Sequence, residues 1–222
     1  MRTASKAQPK PAGRSANRSV FINCPFDRTY RRFFEAIVFA VYASGFIPRC
    51  ALEIDDGAEV RFTKICRIIE SCGFSIHDLS RAGADPRTRL ARFNMPLELG
   101  LFLGCKYFGG PNHAGKSCLI LDGHSYRYRK FVSDLAGQDV RSHNFDLLQL
   151  IAAIRNWLRA GSRQSAIPGG RKIYDRYRSF QNSLPKICRQ AGIARSELTF
   201  VDFSSIVKYW LKTNRMRTIK LL

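Results

Sequence analysis

The chain has 222 residues, of which 45% are hydrophobic and 12% aromatic, a composition typical of a globular protein. This length allows one sizeable core with an appendage but hardly two full domains, and the sequence has no apolar run long enough to span a bilayer. The net charge of +20 attracts polyanions and phosphorylated ligands without identifying which. A solvated basic surface without a specific partner explains the same charge.

Residues 1–18 are rich in Lys, Arg, Ser, Ala and Pro and lack the apolar core of a secretory signal. They predict a disordered basic arm on a protein that is not exported. The seven cysteines are scattered, with no Cys-x-x-Cys pair and no His at metal-ligand spacing. We therefore expect reduced, mostly buried thiols, a cytoplasmic location, no membrane association and no metal site.

Strands and helices alternate over the first 80 residues. The apolar run 19–23 predicts a buried strand, because it ends at the turn residues Cys24-Pro25. Apolar residues then recur at helical spacing from Tyr30 to Val41. The same pattern predicts a second strand at 46–54 despite Pro48, a second helix around 62–69 and a third strand at 74–79.

The second half of the chain continues this alternation. An Arg- and Gly-rich mobile loop is predicted at 81–92 and an almost wholly apolar helix at 95–107. They are followed by a fourth strand at 118–122, a helical turn at 133–137, a short fifth strand near Val140 and an amphipathic helix at 147–158.

This order of elements predicts a flavodoxin-like α/β domain at 19–160, with a parallel sheet of about five strands and helices on both faces. Residues 161–170 are the predicted linker and 171–222 a small helical extension, whose first helix should kink or break at Pro185. Ligands of such sheets bind beyond the carboxyl ends of the strands. That rule indicates the loops after Asn23, Ile54, Asp78 and Asp122.

Glu98 is a candidate for chemistry because its neighbours between Met95 and Leu103 are apolar. A carboxylate in the first turn of such a helix is costly to bury unless something offsets its charge, which makes it a functional candidate. The alternative interpretation is that Glu98 caps its own helix together with Asn94, whose spacing is close to that of a capping box.

Polar residues at the ends of two strands are further candidates. His77 and Asp78 end the third strand, and Asn23 and Asp27 lie at the end of the first. Each of them could instead cap a turn. Arg92 could hold a phosphate or be solvated in its loop.

The remaining motifs favour structural interpretations or leave two open. No phosphate-binding glycine motif follows the first strand, which disfavours dinucleotide redox chemistry and P-loop hydrolysis. A nucleophilic Cys24 has no support from spacing, and a buried thiol beside a turn is the better interpretation. The segment 126–131 alternates aromatic and basic residues and could stack on nucleobases or form a plain amphipathic edge.

Three motifs together resemble the nucleoside 2-deoxyribosyltransferases. They are FINCPF at 21–26, IHDL at 76–79 and NMPLELG at 94–100, and they occur in the family order. The fold is shared with Toll/interleukin-receptor (TIR) domains, whose helix-borne glutamate cleaves the nicotinamide glycosidic bond of NAD. The chain departs from the transferases at Asn94-Met95-Pro96, where they usually have a small Gly-Thr pair, and in its basic C-terminal extension.

The resemblance implies a nucleotide N-glycosidase without metal or cofactor, for which NAD is the leading substrate. Glu98 would attack or electrostatically stabilise the anomeric carbon, and Asp78 would orient the sugar or base. The residues expected to bind the substrate are Asn23, Phe26, Asp27, His77, Arg92 and Asn94. Bacterial TIR-like proteins often act in antiphage defence, and the extension suggests an effector that forms a homo-oligomer or binds a partner protein.

Two alternatives stay open at the level of sequence. The chain could be a non-catalytic module of the same fold that senses a nucleotide or acts as an adaptor. It could also be a nucleic-acid-binding protein, as the net charge of +20 allows.

Overall fold

The computed structural model describes residues 18–83, 90–162 and 167–219, with side chains up to 214. Most of the predicted basic arm and part of the predicted loop at 81–92 therefore lie outside the described residues. The strands are β1 Ser19–Asn23, β2 Ile47–Arg49, β3 Phe74–Asp78, β4 Ser117–Asp122 and β5 Val140–Ser142. The helices are α1 Arg31–Ala43, α2 Arg61–Ser71, α3 Asn94–Phe108, α4 Leu147–Gly161, α5 Gly170–Gln190 and α6 Phe200–Ile219.

The five strands form one parallel sheet in the order β2-β1-β3-β4-β5. This is a flavodoxin-like α/β fold, and the predicted fold class is confirmed. The predicted second strand was too long, since only Ile47–Arg49 pair with β1. None of the described helices is long and apolar enough to cross a membrane.

Alternate residues of the strands face opposite layers of helices, as the two-residue period of a strand requires. Val20 and Ile22 of β1 pack in the core shared with α1 and α4, whereas Phe21 packs with residues of α2 and α3. Both faces of β1 are thus apolar and buried, which explains why its sequence is a continuous apolar run rather than an alternating one.

Helix α1 is buried on every side, because α5 and α6 cover the face that points away from the sheet. Nine consecutive residues of α1, from Phe33 to Val41, are buried. The Phe39 ring lies 5.4 Å from the ring centre of Tyr177, 5.3 Å from that of Phe180 and 5.9 Å from that of Trp210. Aromatic contacts of this kind stabilise beyond their buried area. The division into domain, linker and extension stays a prediction, but the extension shares its core with α1 and α4.

A buried carboxylate also joins the extension to α1. The Glu35 carboxylate accepts hydrogen bonds from Arg31 at 3.0 Å, from Arg195 at 2.7 Å and from Gln181 at 3.1 Å. Three donors from different parts of the chain offset the cost of burying its charge.

Pro185 does not break helix α5, contrary to that part of the sequence prediction. The helix continues to Gln190, and Pro185 lies on its exposed side. The neighbouring Leu184 and Cys188 are buried in the main core. Their packing holds the last turns of the helix even though Pro185 cannot donate a backbone hydrogen bond.

Candidate functional site

A cavity of about 400 Å³ opens at the carboxyl end of β1, between the starts of α2 and α3. Its position agrees with the rule that ligands bind beyond the strand ends of parallel sheets, and its size lies in the range of small-molecule sites. The residues that line it come from the β1 loop, from the first turn of α2 and from the start of α3: Asn23, Cys24, Pro25, Phe26, Arg61, Ala91, Arg92, Phe93, Asn94, Met95 and Glu98.

Glu98 lines this cavity although only 8% of the residue is exposed. Among the residues that the structure describes, no donor forms a hydrogen bond with its carboxylate, whose oxygens are instead accessible from the cavity. Burial raises the pKa of Glu98 to about 7, and the Arg61 guanidinium acts in the opposite direction. The carboxylate is therefore about half ionised at neutral pH, in the range that suits proton transfer and covalent chemistry.

The capping interpretation of Glu98 does not agree with the helix start. Helix α3 begins at Asn94, so Glu98 lies in its second turn and not in the first, as the sequence had suggested. The N-cap residue is Phe93, and no side chain caps this end of the helix. Asn94 is exposed and lines the cavity as the first residue of α3.

Asn23 fixes the start of α3 against the end of β1. Its side-chain Nδ2 donates to the Met95 carbonyl at 2.8 Å and to His77 Nδ1 at 2.9 Å. His77 Nε2 in turn lies 2.9 Å from Ser75 Oγ. Asn23 thus lines the cavity and also fixes the position of α3, which carries Glu98, relative to the end of β1.

His77 does not line the cavity, and its role in substrate binding stays a prediction that its burial does not favour. Its side chain is fully buried between the rings of Phe21 and Phe102, and burial lowers its pKa to about 3. A neutral imidazole at this position accepts the hydrogen bond of Asn23 and holds that amide in place.

Asp78 is likewise fully buried, which rules out direct contact with a ligand in this conformation. It accepts hydrogen bonds from the Tyr30 hydroxyl, from the hydroxyl and backbone N–H of Ser80, and from His143 Nε2 at 3.0 Å. Burial acts to raise the pKa of Asp78, but these donors, led by His143, hold it below its usual value. The predicted catalytic Asp78 is therefore the centre of a structural network beneath the strand ends.

The Nδ1 atom of His143 accepts the backbone N–H of Phe145 at 3.1 Å. The proton of His143 therefore lies on Nε2, which donates to Asp78. His143 follows β5, some 65 residues after Asp78, so the network joins two distant parts of the chain.

Phe26 and Asp27 lie on the wall that separates this cavity from a second one of about 330 Å³, near the start of α6. Phe26 lines both cavities, whereas Asp27 lines only the second. Partial burial acts to raise the pKa of Asp27, but hydrogen bonds from Thr29, Arg92 and the Tyr30 N–H lower it. Arg92 Nη1 donates to Asp27 at 3.0 Å and thereby holds its side chain at the edge of the first cavity.

Cys24 lines the cavity but has little exposed surface, and burial and the nearby Asp78 carboxylate raise its pKa well above the usual value. A thiol of this kind is a poor nucleophile. In the native protein we expect iodoacetamide to alkylate Cys24 roughly 100-fold more slowly than the partly exposed Cys66. Peptide mass spectrometry after timed quenching measures both rates, and equal rates would contradict the burial of Cys24.

Sequence reasoning missed Arg61 and Phe93 at the cavity, and Tyr30 and His143 in the network below it. In a strand–loop–helix unit the helix begins at the same edge where the strand ends. If the rule is applied to helix starts as well as to strand ends, it predicts that Arg61 and Phe93 lie at the ligand-binding edge of the sheet. Nothing in the local sequence around His143 pairs it with Asp78.

Comparison of the chain with protein-family models, with curated proteins and with solved structures finds no match.

Proposed function

We propose that this protein cleaves the N-glycosidic bond of a nucleotide, with NAD as the leading substrate, and transfers the ribosyl group to water. The observation that carries the proposal is Glu98, a largely buried residue whose carboxylate has no hydrogen-bond donor among the described residues and is accessible from a cavity at the carboxyl edge of the sheet.

A carboxylate near the anomeric carbon assists the cleavage of this bond. As the bond breaks, the base leaves with the bonding electrons and the sugar develops positive charge at its anomeric carbon. The Glu98 carboxylate would stabilise that charge or form a covalent bond to the same carbon. Water then adds to the anomeric carbon and releases one proton. In NAD the ring nitrogen that forms the bond is cationic, so nicotinamide leaves as a neutral base.

The remaining lining residues suit the other parts of a nucleotide. Arg61 and Arg92 provide two guanidinium groups for phosphate oxygens. Phe93 is 71% exposed and Phe26 36%, and both line the cavity, so both are candidates for stacking on a base. The Asn23 side chain holds the Met95 carbonyl and so fixes α3 relative to these groups.

A second candidate function is a non-catalytic nucleotide sensor of the same fold. The observation in its favour is that Asp78, expected to assist Glu98, is buried away from the cavity. Such a protein would bind the nucleotide without turning it over.

The test is to incubate the purified full chain with NAD, with nucleotides and with nucleosides, and to measure free base by chromatography. Glu98→Gln is the decisive variant, and Glu70→Gln, on the exposed face of α2, is its matched control. Calorimetry on the same samples measures NAD binding.

Base release by the wild type and the control, with none from Glu98→Gln, would support the proposal. Equal release from all three proteins would show that Glu98 is not catalytic. Nucleotide binding without base release would overturn the glycosidase proposal in favour of the sensor. Absence of both would overturn the two functions together.

A further inference from the structure

A second surface of interest follows β4 along the same edge of the sheet. It consists of His124, Tyr126, Arg129, Lys130, Phe131 and Phe145, and we refer to it as the aromatic–basic surface. Tyr126 is 67% exposed, Phe131 38% and Phe145 37%. Tyr126 and Phe131 are close in the sequence to the exposed cations Arg129 and Lys130, and Phe145 follows the neighbouring strand β5.

The backbone presents two of these rings in a conformation that L-residues rarely adopt. Tyr126 has φ of 60° and Phe145 has φ of 54°, and Asn144 beside it has φ of 50°. Within the part of the chain that the structure describes, these are the only non-glycine residues with positive φ. At Tyr126 and Phe145 this conformation costs roughly 1–2 kcal/mol each, whereas asparagine tolerates it, and such strain is found at functional sites.

Each ring has a neighbour that restricts its orientation. The Arg129 guanidinium lies 4.8 Å from the ring centre of Tyr126, and that of Arg127 lies 5.0 Å from the ring centre of Phe131. The Phe145 ring packs so closely on Gly123 that a Cβ there would lie 2.5 Å from it. Rings restricted in this way lose little conformational freedom when a planar ligand stacks on them.

The overall charge of the chain favours an anionic ligand, whereas the exposed charges beside these rings nearly balance. The nearby Asp139 is paired with Arg141 at 3.4 Å, and Asp146 accepts the Gln149 N–H as the N-cap of α4. Asp134 is the remaining exposed acid in this region. Arg129 and Lys130 are exposed, and the whole chain carries a formal net charge of +20.

We propose that the aromatic–basic surface binds single-stranded nucleic acid. Its bases would stack on Tyr126, Phe131 and Phe145, and its phosphates would lie against Arg129 and Lys130. A single strand suits the surface better than a duplex, because the faces of the bases are accessible only when they are unpaired. This binding site is distinct from the Glu98 cavity and does not depend on glycosidase activity.

The test measures the fluorescence anisotropy of a labelled oligothymidylate of about 20 nucleotides, titrated with the full chain. The test variant is Tyr126→Ala with Arg129→Ala. The matched control is Tyr107→Ala with Lys106→Ala on α3, because Tyr107 is 64% exposed and also carries a cation near its ring, at 5.8 Å. Both variants remove one exposed tyrosine and one positive charge, so a difference between them reports the surface and not the net charge.

We expect the test variant to bind about tenfold more weakly and the control to stay within about twofold of the wild type. Affinity should fall as salt rises from about 50 to 200 mM, and a duplex of the same length should bind more weakly than the single strand. Equal losses in the two variants, or no loss in either, would show that only the overall charge binds the oligonucleotide. No binding by the wild type would overturn the proposal outright. Melting temperatures of both variants check that they are folded.

Discussion

Asp78→Ala is expected to lower the free energy of unfolding by about 4 kcal/mol, because it removes the acceptor shared by three buried side chains. The Tyr30 and Ser80 hydroxyls and His143 all donate to this carboxylate. Tyr30, Ser80 and His143 are themselves buried, so water cannot replace the lost acceptor without entering the core. Urea unfolding at neutral pH, followed by circular dichroism, measures the loss.

The matched control is Asp55→Ala, which removes an exposed carboxylate from the loop before α2 and should stay within about 0.5 kcal/mol of the wild type. A loss below 1 kcal/mol in Asp78→Ala would contradict the network. Because the pKa of Asp78 is lowered in the folded state, its contribution is present above the unfolded pKa, near 4, and is lost as the pH falls through the folded value. The difference between wild type and variant should therefore shrink in acid.

The fold could be predicted from the sequence because each strand and helix has a local signal. The apolar run of β1 and the helical spacing from Tyr30 to Val41 depend only on neighbouring residues, and the parallel order follows from their alternation. The strand near Pro48 was predicted too long, because Cys50 and Ala51 after Arg49 are buried beside the sheet and not paired in it.

The candidate site was predicted only in part, for a physical reason. A polar residue at a strand end lies at the correct edge, but whether it faces a cavity or the core depends on side chains from elsewhere in the chain. Asp78 is covered by Tyr30 and His143, and His77 by two phenylalanine rings. Glu98 could be identified because it is the only charged residue among the apolar residues 95–103 of α3, a pattern that the sequence alone shows.

Glu98→Gln is expected to lower the rate of base release at least about 100-fold, since it removes the negative charge that would stabilise the anomeric carbon. In the wild type the active ionised form should grow as the pH passes through the Glu98 pKa of about 7. We therefore expect kcat/KM to rise between about pH 6 and pH 8 and then to level off. A rate that falls over this range would indicate that the protonated acid is the active form.

The same substitution is expected to stabilise the folded protein at high pH. Burial raises the pKa of Glu98 from 4.5 to about 7, so the folded state holds a proton that the unfolded state has already released. Stability therefore decreases as the pH rises from about 4.5 to 7, and glutamine, which does not ionise, avoids that loss. Glu98→Gln should be about 2 kcal/mol more stable than the wild type at pH 8 and nearly equal to it at pH 5.

Urea unfolding of wild type, Glu98→Gln and the exposed control Glu70→Gln at both pH values measures this difference, and the control should stay within about 0.5 kcal/mol at each. A gain in stability combined with a loss of base release would mean that the buried carboxylate is retained for function at the expense of the fold. A gain of equal size at pH 5 and pH 8 would show that the effect comes from packing and not from ionisation. A loss of stability at pH 8 would mean that the ionised carboxylate has a stabilising partner in solution, which contradicts its isolation in the cavity.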